Sequence, residues 1–410
     1  MKKHLLFLIS IITIFAYSNL YAYYAAENFI DFLVHSNQLR VRTDRFGVLH
    51  GTDNIRVAVG LTSANSLSDI ILHNIYNAQQ TNAVFSFVPS VLAGIGYEGG
   101  AWGIGAGYEF TYKNDAYMVH TPVITATALN DAFRINIPVS IGLGSKSKAE
   151  VTDLRGSYVV STAVEGRYYF AREIPALSHL RFYFNYGNAY IENVQDNKQY
   201  IRQQSVGAQL RIYFKIPTEN VLIEPILRVQ YDQALGSTIK GSDIDKSKVF
   251  DNFNITAKGL NPYWPQSGPG STAGAHGDPN SGAGMQGGYI ASIPSTFYAI
   301  EPYRIGVAMP VGFTATSADE NIHFYLEPAL SFTMINAKHI YTSSAAVAER
   351  STPFFALGYV VYGELYIRPV KNLEWYFEIQ TGGVSIADSM KSWANTSLVL
   401  NGATGLTYYF

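Results

Sequence analysis

The chain has 410 residues, with 29 basic and 31 acidic side chains and a net charge of −2, so its charge gives no argument for nucleic acid or an anionic membrane surface as a partner. It contains no cysteine, which excludes disulfides, thiolate metal sites and a lipid anchor on sulfur. Charged residues are only 15% while Phe, Trp and Tyr reach 14% and glycine numbers 35, a balance closer to a transmembrane barrel than to a soluble enzyme.

Residues 1–22 have the layout of a secretory signal peptide: Lys2 and Lys3, an apolar stretch from Leu5 to Tyr17, and expected cleavage near Ala22. An uncleaved anchor fits less well, because that stretch is shorter than the roughly 20 residues a helical span needs. Residues 23–53 are expected to stay out of the barrel as a periplasmic or lumenal segment, with Phe29, Phe32, Leu33 and Ser36 at helical spacing between Glu27 and Asn37. No later stretch is long and apolar enough for a helical span. A closed barrel is then the remaining way to pair every backbone group in lipid.

Residues 54–410 are expected to supply that barrel, an all-β, transmembrane, antiparallel fold. Alternation is clearest where Ile322, Phe324, Leu326, Pro328, Leu330, Phe332 and Met334 share one face and His323, Tyr325, Glu327, Ala329, Ser331 and Thr333 the other. Val206 to Ile216 and Phe133 to Leu143 repeat the pattern. The walk predicts fourteen strands at 54–62, 84–97, 102–113, 116–127, 132–144, 157–170, 180–190, 204–216, 221–232, 298–313, 322–334, 354–368, 373–384 and 398–410. Short connections alternate with long ones, as when short turns are periplasmic and long loops extracellular. Adding Leu39 to Phe46 as one more strand would make the total odd, so it is left out; sixteen strands, with 39–46 and a second strand added, is the alternative. A soluble sandwich would also alternate, but its strands average about 5 to 6 residues, well short of these.

The Gly- and Pro-rich stretch Gly259 to Gly288, inside the long connection 233–297, cannot pack a core and is expected at the surface. Its alternative is to fold inward and constrict the lumen. Gly94, Gly96, Gly103, Gly105 and Gly107 should face the lumen on paired strands. They either permit strong curvature, the plainer reading, or leave room for the segment from Phe29 to Leu33 to pack there.

The last strand sets Leu398, Leu400, Gly402, Thr404, Leu406, Tyr408 and Phe410 on one face. A terminal Phe preceded by Tyr and Leu at two-residue steps resembles the sorting pattern of outer-membrane barrels, which implies handling by a barrel-assembly machine. Near the mature N-terminus stand Phe29-Ile30-Asp31-Phe32-Leu33, then Asn37-Gln38-Leu39-Arg40-Val41-Arg42-Thr43-Asp44, Gly47 and Gly51-Thr52-Asp53. This string resembles the variable surface proteins of intestinal spirochaetes, although Ser36 departs from the glycine expected there. The resemblance covers about a tenth of the chain. It implies an abundant, antigenically varied outer-membrane protein without catalysis.

Motifs for chemistry are few. Gly94-x-Gly96-x-x-Gly99 fits a dinucleotide pattern but runs from strand to turn to strand, with no helix to hold a pyrophosphate. The nine histidines are scattered and no G-x-S-x-G elbow exists, so no catalytic, metal or cofactor residue is assigned. His323 with Glu327 is the one modest inward pair, set against a simple hydrated ladder. Inward charges are mixed: Arg134, Arg167, Arg211, Lys215, Arg228, Arg304 and Arg368 with Glu109, Glu165, Glu224, Glu327, Glu364 and Glu378. Strong ion selectivity is therefore not expected. The expected function is a surface-exposed, structural and antigenic barrel with porin-like diffusion, the alternatives being a dedicated transport porin, an adhesin or a barrel enzyme. Its expected partners are outer-membrane lipid, the assembly machinery through the strand ending Phe410, and further copies of the chain.

Overall fold

The computed structural model describes residues 33, 37–42, 45–63, 88–148, 153–170, 174, 176–196, 198–241, 251–253, 255–263, 274–277, 297–342, 353–388 and 391–410. The signal peptide and Phe29 to Phe32 lie outside the described residues.

Sixteen strands close into an antiparallel barrel: β1 Gln38–Arg42, β2 Arg45–Gly51, β3 Ile55–Ser63, β4 Pro89–Glu98, β5 Trp102–Asn114, β6 Tyr117–Ala128, β7 Phe133–Gly144 and β8 Tyr158–Tyr169, then β9 Leu177–Glu192, β10 Tyr200–Phe214, β11 Val221–Lys240, β12 Tyr303–Thr316, β13 Ile322–Asn336, β14 Phe354–Val370, β15 Leu373–Asp388 and β16 Lys391–Tyr409. Each strand pairs with the next, and β1 pairs back onto β16 through Gln38↔Tyr409 to Arg42↔Gly405. All fourteen strands expected from the sequence are present. The count of fourteen is corrected to the sixteen of the alternative, because residues 38–51 fold into a hairpin and do not stay outside the wall. A hairpin adds two strands, which keeps the total even and both chain ends on the same rim.

The seam is closed there by polar groups at the strand ends. Phe410 N–H donates to Asn37 O at 3.2 Å, and Gly51 N–H donates to Asn37 Oδ1 at 2.8 Å. Connections at this rim are short, such as 99–101, 129–132 and 371–372; the opposite rim carries 64–88, 145–157, 241–302 and 337–353. The two rims are called the turn end and the loop end below.

Alternation sorts the side chains as lipid and water require. Ile124, Met309, Leu330 and Ile379 point outward with 56%, 61%, 59% and 56% of their surface exposed, the inverse of a soluble core. Outward aromatics mark both edges of this band. At the turn end Tyr97 meets Trp102, Tyr168 meets Phe170 and Trp375 meets Phe377, beside Tyr408 and Phe410; at the loop end Tyr158, Tyr190 and Tyr200 stack in a row. Among the described residues no helix is long and apolar enough to cross a membrane.

Candidate functional site

The lumen is the site, and part of it is filled by the chain itself. Within the connection from β11 to β12, residues 251–253 and 255–258 run along the inner wall of β5 to β11. Ile255 and Ala257 are fully buried against Tyr117, Val119, Val159, Ala189, Ile191 and Ile201. Strand walls leave no backbone groups free for such a guest, so side chains do the pairing. Ile255 N–H donates to Ser205 Oγ at 3.0 Å, Ala257 N–H to Ser161 Oγ at 2.9 Å, and Tyr117 Oη to Ala257 O at 2.9 Å. Lys258 Nζ meets the fully buried Glu109 at 2.5 Å, while Lys113 Nζ donates to Lys258 O at 2.6 Å. Gly187 makes the close approach possible: a Cβ there would stand 2.1 Å from Ile255 O.

The start of the segment is pinned separately. Asp251 accepts from Ser237 Oγ and, at 2.8 Å, from Glu301 N–H. Burial pushes its carboxyl above the ordinary range, opposed by those two hydrogen bonds, raised further by Glu301 and lowered by Lys338. Phe253 lies under the Arg304 guanidinium at 4.6 Å, and Arg304 pairs with Asp232 at 2.7 Å, both fully buried. After the segment, the backbone hairpin 260–263 with 274–277 lies near β8, β9 and β10. The inward part of the connection thus precedes the stretch Gly259 to Gly288, of which residues 259–263 and 274–277 are described and the rest lies outside the described residues.

A second guest packs lower in the lumen. Leu33 is fully buried with Leu49, Ala58, Leu92 and Val123. Ala58 and Gly107 both stand opposite Gly94, and Val123 stands opposite Gly107, so Leu33 sits at the edge of the glycine patch. That favours packing over curvature as the use of these glycines.

On the wall of β13 to β15 the carboxylates are instead met by side chains of the barrel itself. Tyr325 donates to Glu327, Tyr362 to Glu364, and Tyr366 to Glu364 at 2.8 Å. Glu364 and Glu378 stand directly opposite each other, and Arg42 from β1 neutralises Glu378 at 3.1 Å. Arg368 does the same for Glu374 at 2.8 Å.

Of the sequence-predicted inward charges, all are found lining the lumen except Lys215, which is exposed just past the end of β10. Arg181 is an inward arginine that the sequence reading missed; its position two residues before Tyr183 on the alternating strand 180–190 was the available signal. His323 and Glu327 are four residues apart on one strand, roughly 13 Å, and engage Thr316 and Tyr325 respectively. They are too far apart for an acid–base pair. Among the described residues no three acidic or histidine side chains gather as metal ligands. Gly94, Gly96 and Gly99 fall in the β4–β5 hairpin, far from any helix start.

A sixteen-strand barrel with an apolar belt, two aromatic edges and a polar lumen is an outer-membrane β-barrel, and the outer membrane is its place. The variable surface protein model of Serpulina hyodysenteriae matches residues 2–409, and the chain belongs to that family. No curated protein sequence matches the chain. Solved structures similar to it include a bacterial polysaccharide outer membrane secretin, 11% identical, TM-score 0.45, covering 92% of this chain and 98% of that one. Another is a loop L8 deletion mutant of OmpT from Vibrio cholerae, 10% identical with a TM-score of 0.32 over 91% and 98% of the chains. The translocator domain of the autotransporter NalP from Neisseria meningitidis gives 10% and 0.30 over 93% and 91%.

Proposed function

We propose that this surface-exposed barrel is a structural and antigenically varied coat protein that also lets small solutes diffuse through a narrowed lumen, without catalysing a reaction. One observation carries the diffusion reading. The segment 251–258 covers only the β5 to β11 side, while the inward faces beyond it carry ion pairs and tyrosine hydroxyls, groups that accept a hydrated path. Antigenic variation fits the loop-end connections, which are the longest stretches of sequence between strands. The assembly machinery is expected to engage β16 through its terminal Phe410, and lateral contacts between copies would use the outward apolar belt.

Purified protein in planar bilayers tests the diffusion reading. A stable unit conductance that shrinks when bulky polymers are added is the expected result. Silence over many insertions of folded protein would leave a purely structural coat protein.

A further inference from the structure

The register of β7 to β11 aligns five inward arginines. Arg134 stands opposite Arg167, Arg167 opposite Arg181, Arg181 opposite Arg211, and Arg211 opposite Arg228. Like charges directly across a ladder oppose sheet formation, and here the conflict is repeated four times in a row. On β14 and β15 a like-charge pair also occurs, Glu364 opposite Glu378, but it stands alone and is met by Arg42 and by tyrosine hydroxyls.

Two neighbouring rows hold the guanidinium planes in place. On the turn-end side Arg134 lies over Tyr169 at 4.8 Å and Arg181 over Tyr213 at 4.8 Å; on the other, Arg211 lies over Tyr183 at 4.4 Å and its Nε donates to Gln209 at 2.5 Å. Stacking of this kind orients a guanidinium without neutralising it. Carboxylates attend the first two steps: Asp131 pairs with Arg134 at 2.5 Å and Glu165 with Arg167 at 2.6 Å. In the middle, Arg181 Nε donates to His179 Nε2 at 3.2 Å, and among the described residues neither Arg181 nor Arg211 forms a salt bridge with a carboxylate.

Geometry makes the row a staircase. Strands of a barrel tilt by about 35–45° and lie about 4.8 Å apart, so a line of directly paired residues climbs roughly 3 Å per strand, or about 12 Å across five strands. Arg134 is accordingly the second residue of β7 from the turn end, and Arg228 the eighth residue of β11. The row rises from the turn-end mouth toward the level of the inward loop.

We propose that these five arginines form a binding staircase for small oxyanions, carboxylates or phosphates, with its strongest step between Arg181 and Arg211. A planar anion group takes two parallel N–H donors from one guanidinium, and the next step is within reach. The staircase makes the lumen prefer anions, against the balance of charges read from the sequence alone. It rests on the reading of the lumen as open to solutes, and its test separates the two.

The test is thermal unfolding of the folded barrel in detergent with inorganic phosphate against chloride at matched ionic strength. Phosphate also stabilises proteins by exclusion from their surfaces, so the readout is the difference between the native protein and Arg181→Gln/Arg211→Gln. The native midpoint should rise by several degrees more than that of the variant. An equal rise in both, or no rise in the native protein, overturns the staircase. Should the glutamine variant fail to fold, Arg181→Lys/Arg211→Lys keeps the charge but loses the planar fork, and it should show a reduced phosphate shift; a full shift overturns the staircase. In bilayers under a potassium chloride gradient, the native reversal potential should show chloride passing several-fold more readily than potassium. A cation preference overturns the staircase, whereas silence in bilayers together with the phosphate shift overturns only the diffusion reading.

Discussion

The two sides of the lumen start from the same rule, an inward side chain at every second residue, and satisfy it differently. On β13 to β15 the inward groups meet one another: tyrosine hydroxyls and two arginines account for Glu327, Glu364, Glu374 and Glu378. On β5 to β11 a set of inward groups meets something added to the wall. Ser161, Ser205 and Tyr117 bond to the backbone of 251–258, and Glu109 to its lysine. The contrast teaches that polar lumen residues in a barrel are not all filling. Small hydroxyls and a glycine, where large paired side chains could have stood, mark a wall built to receive a chain segment.

The strongest way to break that contrast is to take away the room. Gly187→Ala places a Cβ 2.1 Å from Ile255 O, against backbone and Cβ atoms and not the far end of a flexible side chain. Losing the burial of Ile255 is worth on the order of 2 kcal/mol, or roughly thirtyfold in the docking equilibrium. Tryptic cleavage after Lys258 in the intact barrel should accelerate accordingly. Gly363→Ala is the control: its Cβ would meet Ile379 Cγ2 at an ordinary 3.5 Å and should leave cleavage unchanged. Equal sensitivity of both variants would show that Gly187 has no special role.

How far the sequence foretold this differs between wall and contents. Period two locates the long strands because lipid and water impose it residue by residue. It offers Leu39 to Phe46 as one strand, which the even count then leaves out, because β1 and β2 have only five and seven residues and their division into two strands shows only in the pairing with β16 and β3. The lumen is harder still. Ile255 and Ala257 alternate over too short a run to announce a buried segment, and the fit between Ile255 and Gly187 is a contact between parts of the chain far apart in sequence. Of the five aligned arginines all but Arg181 are named from their strands, but their alignment depends on register across five strands, which the turns set and composition does not. The charges therefore read as mixed in sequence and stand sorted by wall in space.

A smaller effect sharpens the comparison through pH. Asp251, which anchors the received segment, has its carboxyl raised by burial, so the docked state holds a proton that the undocked loop has lost. Its contribution to docking is complete below about pH 4, the ordinary aspartate value, and is lost as pH rises through the raised value. Glu301, Lys338 and Ser237 face it and shape that window. Exchange protection of the Ile255 and Ala257 amides, corrected for the intrinsic rate, should increase as pH falls from neutrality toward the ordinary aspartate value. Asp251→Asn should flatten the profile, and a flat native profile would remove Asp251 from the anchor.

The central claim is that residues 251–258 lie inside the barrel against β8 to β10, and the absence of native cysteine makes it directly measurable. Ser161 and Ala257 are joined by a hydrogen bond of 2.9 Å between Oγ and N–H. The double variant Ser161→Cys/Ala257→Cys should form a disulfide in the folded barrel under mild oxidation, seen as a reducible shift in gel mobility. Two free thiols, both labelled from the outside in intact cells, would contradict the account.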